Sequence, residues 1–386
     1  MFLKRIMRSK LLVLTLILPL FTFTAFSQQK SIHTVVPFLT ISPDARSGAM
    51  GDVGVATTPD VYSMHWNCAK YAVIDGNGGF ALAYTPWLRS LVPDINIANL
   101  SVYTRIDARQ VIAASLVYSS LGTIQLTDGM GAPIRDYKPN EFSLDAAYSR
   151  LLTENFSGGI ALRFIYSNIT GGTEVEGYAT KAGTAFAADI SGYYSDEIGL
   201  GTKNGTFSAG FNFSNIGSKM SYSSTKDPEF IPMNMRLGAG LSMSLDKYNK
   251  LGVSLDLNKL LVPSPPEMIG DSIVKGKNPD VSVPVAIFQS FYDAPGGFSE
   301  EMKEFMIGFG AEYWYNDQFA IRAGYFNESK IKGNLKYFTM GAGLRLNIFT
   351  LDFSYLIPLT QTNPLARTLR FSLSFDFESL RNARSR

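Results

Sequence analysis

The side chains that could do acid–base, nucleophilic or metal chemistry are scarce in this sequence of 386 residues. It holds two histidines, His33 and His65, and one cysteine, Cys68. A hydrolase usually needs a histidine base beside its nucleophile, and a zinc site needs several ligands at a recognisable spacing. The sequence has no Gly-x-Ser-x-Gly motif, no Gly-x-Gly-x-x-Gly fingerprint and no phosphate-binding loop. We therefore predict that the protein is not an enzyme and has no catalytic residue, metal or cofactor.

The N-terminal residues are typical of an export signal. Four basic residues precede an apolar run from Leu11 to Phe21, and Ala25-Phe26-Ser27 provides a small-residue cleavage site. This arrangement predicts a secretory signal peptide over residues 1–27. Taking its four basic residues from the 35 leaves 31 against 33 acidic side chains, so the net charge changes from +2 to −2. Nucleic acid, which would need a basic surface, is not an expected partner.

After residue 27 the hydrophobic signal alternates with a period of two. Leu369, Phe371, Leu373 and Phe375, for example, are separated by single polar residues. Successive side chains of a strand point to opposite faces, so each segment has one apolar and one polar face. Most segments reach the roughly 9–11 residues that a tilted strand needs to cross a bilayer, whereas soluble strands mostly have about 5–6. A transmembrane barrel is therefore favoured, and a secreted β-sandwich is the alternative.

The count of segments supports the barrel. We predict an all-β fold, a 14-stranded antiparallel transmembrane β-barrel over residues 78–377, followed by a periplasmic C-terminal tail over residues 378–386. Single-chain bacterial outer-membrane barrels have an even number of strands. The predicted strands are 78–86, 94–106, 109–120, 140–151, 155–168, 182–194, 204–216, 231–244, 248–260, 302–314, 317–327, 335–346, 348–359 and 367–377.

The predicted connections alternate between short and long, as short periplasmic turns and long external loops do. Asp107-Ala108, Thr153-Glu154, Asp246-Lys247 and Asn316-Asp317 supply tight-turn residues. With this parity both ends of the barrel lie in the periplasm. Tyr313, Trp314 and Tyr315 beside one short turn, with Trp87 at the opposite edge, are expected to belong to the aromatic girdles at the membrane interfaces.

Residues 28–77 differ from the barrel, because they are too short and too rich in Gly for a core of their own and too apolar to remain in water. We predict that they form an N-terminal plug in the barrel lumen. Its candidate functional residues are Asp44, Arg46, Asp52, Trp66 and Asn67. Asp44 and Arg46 could hold a conformation that partners sense, or could pair with charges on inward barrel faces, since buried charges need partners. Those inward charges are Arg163, Asp189, Arg236 and Glu312.

The plug segment also carries a resemblance to a known family. A Gly-rich N-terminal stretch before fourteen strands is similar to FadL-type outer-membrane proteins, whose Asn-Pro-Ala tripeptide reads Asn67-Cys68-Ala69 here. A more specific match is Pro37-Phe38-Leu39 with Trp66-Asn67 and the stretch Pro43-Asp44-Ala45-Arg46-Ser47-Gly48-Ala49-Met50-Gly51-Asp52. These residues resemble the PorV (LptO) family, the FadL-like outer-membrane proteins of the type IX secretion system of Bacteroidetes.

The resemblance implies a non-enzymatic role in protein transport at the outer membrane of a Gram-negative cell. Such a protein binds cargo by its C-terminal signal domain as the cargo leaves the SprA translocon. It then shuttles the cargo to the PorU attachment complex, where the cargo is joined to lipopolysaccharide. Outer-membrane lipid, with lipopolysaccharide as a further candidate, is thus an implied partner. The alternative is a FadL-like channel for hydrophobic small molecules, for which Gly238, Gly240, Gly308 and Gly310 could mark a kink in the wall.

The connection from about residue 261 to 301 is the strongest functional pointer outside the plug. Structureless loops longer than about 12–15 residues are usually functional or disordered. Pro284 can begin a short helix, and the spacing of Val285, Phe288, Phe291 and Tyr292 places all four on one side of it. We predict that this surface binds a partner. The alternative is a lid folded over the barrel mouth.

Overall fold

The computed structural model describes residues 31–127, 130–175, 178–201, 203–225, 227–359 and 365–377. The predicted signal peptide, residues 1–27, and the predicted C-terminal tail, residues 378–386, lie outside the described residues. Among the described residues, no helix is both long and apolar enough to cross a membrane.

Fourteen strands close into one antiparallel barrel in the described part of the chain. Each strand pairs with the next, and the last pairs with the first through contacts such as Leu82 opposite Leu373. The predicted fold class is thereby confirmed. The strands are β1 Gly78–Pro86, β2 Ile95–Asp107, β3 Gln110–Leu121, β4 Asn140–Leu151, β5 Phe156–Asn168, β6 Gly183–Leu200, β7 Lys203–Gly217, β8 Asn234–Ser244, β9 Asn249–Leu260, β10 Met306–Tyr315, β11 Phe319–Asn327, β12 Lys336–Arg345, β13 Phe349–Pro358 and β14 Leu369–Asp376.

Some strand bounds differ from the predicted ones. The strand predicted over 302–314 begins only at Met306, because the helical turns Phe298–Glu301 and Met302–Glu304 occupy the preceding residues. The strands predicted over 182–194 and 204–216 form a longer hairpin, in which Leu200 pairs with Lys203. Beyond Tyr194, which pairs with Phe156, β6 continues past the start of β5. The alternation of side chains does not reveal this extension, because Gly199 and Gly201 interrupt it.

The two faces of the wall have opposite character. On β14, Phe371 is exposed on the outer face, while Arg370 and Ser372 are buried inside. Leu162 and Phe186 are each more than half exposed on the same outer side. An exposed apolar exterior and a buried polar interior are the reverse of a soluble protein, and a barrel acquires this arrangement when lipid surrounds it.

The turns at one end are tight and have defined chemistry. Asp107 Oδ1 accepts the Arg109 backbone N–H at 2.8 Å, and Asp246 Oδ1 accepts that of Tyr248 at 2.8 Å. Asn316 and Asp317 adopt left-handed φ values of 54° and 52°, which Asn and Asp tolerate better than most residues. The longer connections after the odd-numbered strands all lie at the other end. The segment before β1 and the end of β14 meet at the short-turn end.

The girdle prediction is wrong for both tryptophans. Trp314 shares a face of β10 with the buried Glu312, so its ring points into the lumen, 4.5 Å from the Arg345 guanidinium carbon. Strict alternation requires this direction, since 312 and 314 have the same parity. Trp87 is partly buried against apolar side chains that include Val36 and Phe326. Tyr315, of opposite parity, remains exposed.

Candidate functional site

The segment before the barrel lies in the lumen and bonds to the wall on many sides. It contains short helical turns at Pro37–Thr40, Ala45–Ala49, Ser63–Trp66 and Cys68–Val73. Its hydrogen bonds reach strands all round the barrel. They are Ala45 N to Ser372 Oγ, Gly51 N to Thr339 Oγ1, Gly54 N to Asp256 Oδ2, Ser208 Oγ to Ala56 O, Ser157 Oγ to Ala69 O and Ser149 Oγ to Cys68 O. We refer to residues 31–77 as the plug.

Asp44 joins two parts of the plug. Its carboxylate caps the helix Ala45–Ala49 by accepting the Ser47 N–H at 2.8 Å. Its other oxygen accepts the Trp66 indole N–H at 2.8 Å. The expectation that Asp44 pairs with a luminal charge is wrong, because both of its oxygens bond to donors within the plug and no cation among the described residues forms an ion pair with it.

Arg46 ties the plug to the wall by charge. Its guanidinium contacts both carboxylate oxygens of Glu312 on β10, at 3.1 and 2.9 Å. It also pairs with Asp60 at 2.8 Å within the plug. Glu312 accepts a second bond from Arg322 on β11 at 2.6 Å, and Arg322 continues to Asp352 on β13 at 2.7 Å. The chain of charges thus runs from the plug to β10, β11 and β13.

The other expected luminal charges are used differently. Arg163 pairs with Asp189 at 3.1 Å and also with Asp145, so this group closes within the wall. The Arg236 guanidinium carbon lies 4.8 Å from the Trp66 ring centroid. This stacking gives Arg236 a plug partner that carries no charge.

Asp52 and Asn67 hold the plug through single side chains. Asp52 has a left-handed φ of 57° and accepts the Tyr337 hydroxyl. The Asn67 amide donates to Val55 O within the plug and to Gly192 O on β6, both at 3.0 Å. Each residue therefore bonds one point of the plug to the barrel.

Asp256 on β9 is a plug-binding residue that the sequence reasoning missed. Its Oδ2 accepts the backbone N–H groups of Gly54 at 2.7 Å and Val55 at 3.0 Å. Its position on the polar face of a predicted strand was the only available signal. Every residue except proline has a backbone N–H, so the type of the partner residue does not reveal that a carboxylate binds it.

Inward glycines give the plug its space. A Cβ at Gly310 would lie 2.5 Å from Met50 Cβ, and one at Gly308 would lie 2.7 Å from the Gly51 carbonyl oxygen. At Gly238 the nearest plug atom would be 2.9 Å away, on Val55. These contacts are shorter than real Cβ atoms tolerate. Close approach of the plug accounts for these glycines without a kink in the wall.

The long external loop, residues 261–305, is folded. It contains a hairpin of Glu267–Ile269 with Ser272–Lys275 and a helix, Val283–Gln289, with Pro284 in its first turn. Ala286 is fully buried in an apolar cluster at the barrel mouth that includes Leu261 and Val262. One face of this helix therefore covers the mouth, as the lid alternative requires.

The opposite side of the same loop is apolar and exposed. The exposed fractions are 47% for Val285, 71% for Phe288, 42% for Phe291 and 58% for Tyr292. Val285 and Phe288 lie on the helix, while Phe291 and Tyr292 follow its end. We call these four residues the aromatic face. Lid and partner surface are thus two sides of one element.

An ion-pair network braces the loop beneath the aromatic face. Lys332, from the connection between β11 and β12, pairs with Glu300 and Glu304 at 2.8 Å each. Lys259, at the end of β9, pairs with Glu301 at 3.3 Å and also with Glu304. Burial raises the pKa of the Glu304 carboxyl, but Lys259 outweighs this effect and the net pKa is lowered. Paired buried charges of this kind fix geometry more than they add stability.

Asp293 belongs to the same loop, but no cation in the described part of the chain forms an ion pair with it. It accepts the Ser264 N–H at 3.1 Å. Burial, with Glu301 and Glu304 nearby, raises the pKa of its carboxyl to about 6. The group therefore changes charge near neutral pH, unlike the paired Glu304.

The lumen itself offers a cavity of about 520 Å³ at the short-turn end. Charged side chains line it, including Arg46, Asp60, Glu312 and Arg322. Among the described residues, no group of three or more His, Cys, Asp and Glu side chains could hold a metal ion. Apolar side chains such as Ile74 and Ile348 also line the cavity, so its surface is mixed and not a continuous apolar pocket.

The comparison with protein families is decisive for the identity of the family. The family described as type IX secretion system protein PorV matches residues 24–267. The chain belongs to the PorV family. It is therefore a component of a type IX secretion system, with the outer-membrane location that its barrel requires. No curated protein matches the PorV-family chain closely enough to count as a relative.

Three solved structures with a similar fold illustrate the likeness. The Pseudomonas putida toluene transporter TodX has a TM-score of 0.49 and 12% identity, covering 90% of this chain and 99% of its own. The TodX deltaS2S3 monoaromatic hydrocarbon channel has a TM-score of 0.49 and 13% identity, with 86% and 98% covered. A Pseudomonas aeruginosa FadL homologue has a TM-score of 0.41 and 12% identity, with 87% and 99% covered.

Proposed function

We propose that this PorV-family protein is a non-enzymatic shuttle that binds the C-terminal signal domain of secreted cargo through its external loop. It receives the cargo at the SprA translocon and delivers it to the PorU attachment complex. The observation that carries the proposal is the aromatic face, because four apolar side chains are held toward the exterior on a folded, ion-paired loop. Exposed apolar patches on a folded element are typical of interaction sites.

The plug supports a role on the outer surface rather than through the lumen. Hydrogen bonds and the Arg46–Glu312 pair hold the plug to many strands, and charged side chains interrupt the apolar lining of the luminal cavity. A channel for hydrophobic small molecules would need an apolar path. We therefore favour the shuttle over the channel.

Replacing Phe288, Phe291 and Tyr292 together with Ser tests the proposal. We expect the variant to reach the outer membrane in normal amounts and to recover at least about tenfold less cargo when purified from native membranes, since buried aromatic side chains dominate interface energies. A matched control replaces Leu91, Met130 and Ile134, exposed apolar residues of other external loops, with Ser. Equal cargo recovery from wild type and the aromatic-face variant would refute the cargo site.

The division of the chain is part of the same proposal. Residues 1–27 are removed as a signal peptide, residues 28–77 form the plug, residues 78–377 the barrel and residues 378–386 a periplasmic tail. Sequencing the N-terminus of the protein purified from outer membranes should give Gln28 first. A mature chain that still begins at Met1 would contradict cleavage.

A further inference from the structure

The outer surface of the barrel carries an apolar groove of about 380 Å³, distinct from the loop and the lumen. It crosses β13, β14, β1, β2 and β3. A continuous row of leucines forms its lower part, each opposite the next in the strand register. They are Leu351, Leu373, Leu82, Leu100 and Leu116.

A slot between two tyrosines forms the upper part. Tyr84 on β1 and Tyr118 on β3 both lie opposite Ala98 on β2. Both rings are exposed on the lipid-facing side. The small Ala98 side chain leaves a gap between two large rings, and this gap continues into the leucine row.

The rows above the slot become polar toward the long-loop end. Asn96 lies opposite Ser120, and Ser120 lies opposite Asn140, all on the outward face. Beyond them, Arg89 and Lys138 expose basic side chains at the rim. Arg89 lies in the connection between β1 and β2, and Lys138 lies in the connection between β3 and β4, so both are at the long-loop rim.

We propose that this groove holds one acyl chain of lipid A, with the lipid's carbonyl and phosphate groups at the polar and basic rows. The order from leucines through tyrosine hydroxyls to amides and cations matches the order of chemical groups along such a lipid. Tyrosines at this depth place an apolar ring in the lipid and a hydroxyl at the interface. The slot and the polar rows lie toward the long-loop ends of β1, β2 and β3, while the leucine row extends to the middle of the wall and beyond it. The head of such a lipid would therefore lie in the external leaflet, which consists mainly of lipopolysaccharide.

The inference rests on the outer-membrane location and not on cargo binding, so either proposal can fail alone. The proposal is that one lipid molecule stays bound in the groove, unlike the lipids that surround the rest of the barrel and exchange freely. An acyl chain in a groove gains dispersion contacts on several sides, whereas one on a smooth wall gains them on one side.

Native mass spectrometry of the protein extracted from outer membranes in mild detergent tests the inference. We expect wild type to retain one lipid A molecule, and Ala98→Phe, which fills the slot, to lower the lipid-bound fraction about tenfold. Ala323→Phe is the matched control, because Ala323 is an exposed outward alanine on the distant strand β11. This control should retain lipid A as wild type does.

Three results would overturn the inference: no lipid retained by wild type, phospholipid retained in place of lipid A, or equal loss from both variants. Heat-modifiable migration of each variant on a gel confirms that the barrel has folded before the lipid is counted. Cargo recovery from Ala98→Phe should equal that of wild type, which separates the lipid site from the aromatic face.

Discussion

The plug and the external loop are both held by buried ion pairs, yet they leave opposite surfaces. The plug bonds to strands all round the lumen, packs apolar side chains such as Met64 and Tyr71 against the wall, and has Arg46 fixed by Glu312 and Asp60. The loop is fixed from below by Lys259 and Lys332 and leaves the aromatic face exposed above, with the Lys277 ammonium 3.8 Å from the Tyr292 ring centroid. The hydrogen bonds and ion pairs of the plug are therefore made inside the barrel, whereas the loop leaves the aromatic face exposed to a partner.

Arg46→Ala should have the largest effect on this difference. Removing one member of a buried pair leaves Glu312 short of a cation and costs about 3–5 kcal/mol of stability. We expect faster proteinase K cleavage within the plug and a lower urea midpoint in detergent. Lys250→Ala is the control, since its partner Asp317 and the lysine itself are both exposed and such pairs contribute about 0–1 kcal/mol. Equal effects of the two substitutions would show that the plug is not held by Arg46.

Gly324→Val should have the next largest effect. A Cβ at Gly324 would lie 2.1 Å from the Gly51 nitrogen and from the Met50 carbonyl carbon, so backbone would have to move. Overpacking of this kind typically costs about 1–3 kcal/mol. A lower melting temperature of the detergent-solubilised barrel checks it. Gly252→Val is the control, because the nearest atom there lies 3.8 Å away. A plug that tolerates Gly324→Val would have to lie farther from the wall than it does here.

The loop should respond to pH through Asp293, in a smaller way. Its pKa is raised to about 6, so folding favours the protonated carboxyl and this contribution is lost as the pH rises from about 4 through 6. We expect Asp293→Asn to slow protease cleavage in the loop about threefold at pH 8 and to have little effect at pH 4. The Asn side chain can still accept the Ser264 N–H. An equal effect at both pH values would assign the change to shape and not to charge.

The wall could be predicted from the sequence, but the partners of most plug residues could not. A period of two depends only on which face meets lipid, so fourteen strands follow from the chain itself. The same alternation along β10, applied strictly, predicts that Trp314 points into the lumen as Glu312 does. The Asp256 contact with Gly54 and Val55 depends on where the plug backbone passes. The helical turns before Met306 arise from loop packing around Glu300, Glu301 and Glu304. The period-two pattern of apolar residues does not predict such packing.

Site-specific photo-cross-linking tests the central claim most directly, because it asks which surface touches cargo. A photoreactive residue at Phe288 should cross-link to the C-terminal domain of secreted cargo in living cells. One at Met130, exposed on another external loop, and one at Thr58, facing the luminal cavity, should not. Cross-links from Thr58 with none from Phe288 would contradict the account, since cargo would then enter the lumen and leave the external loop untouched.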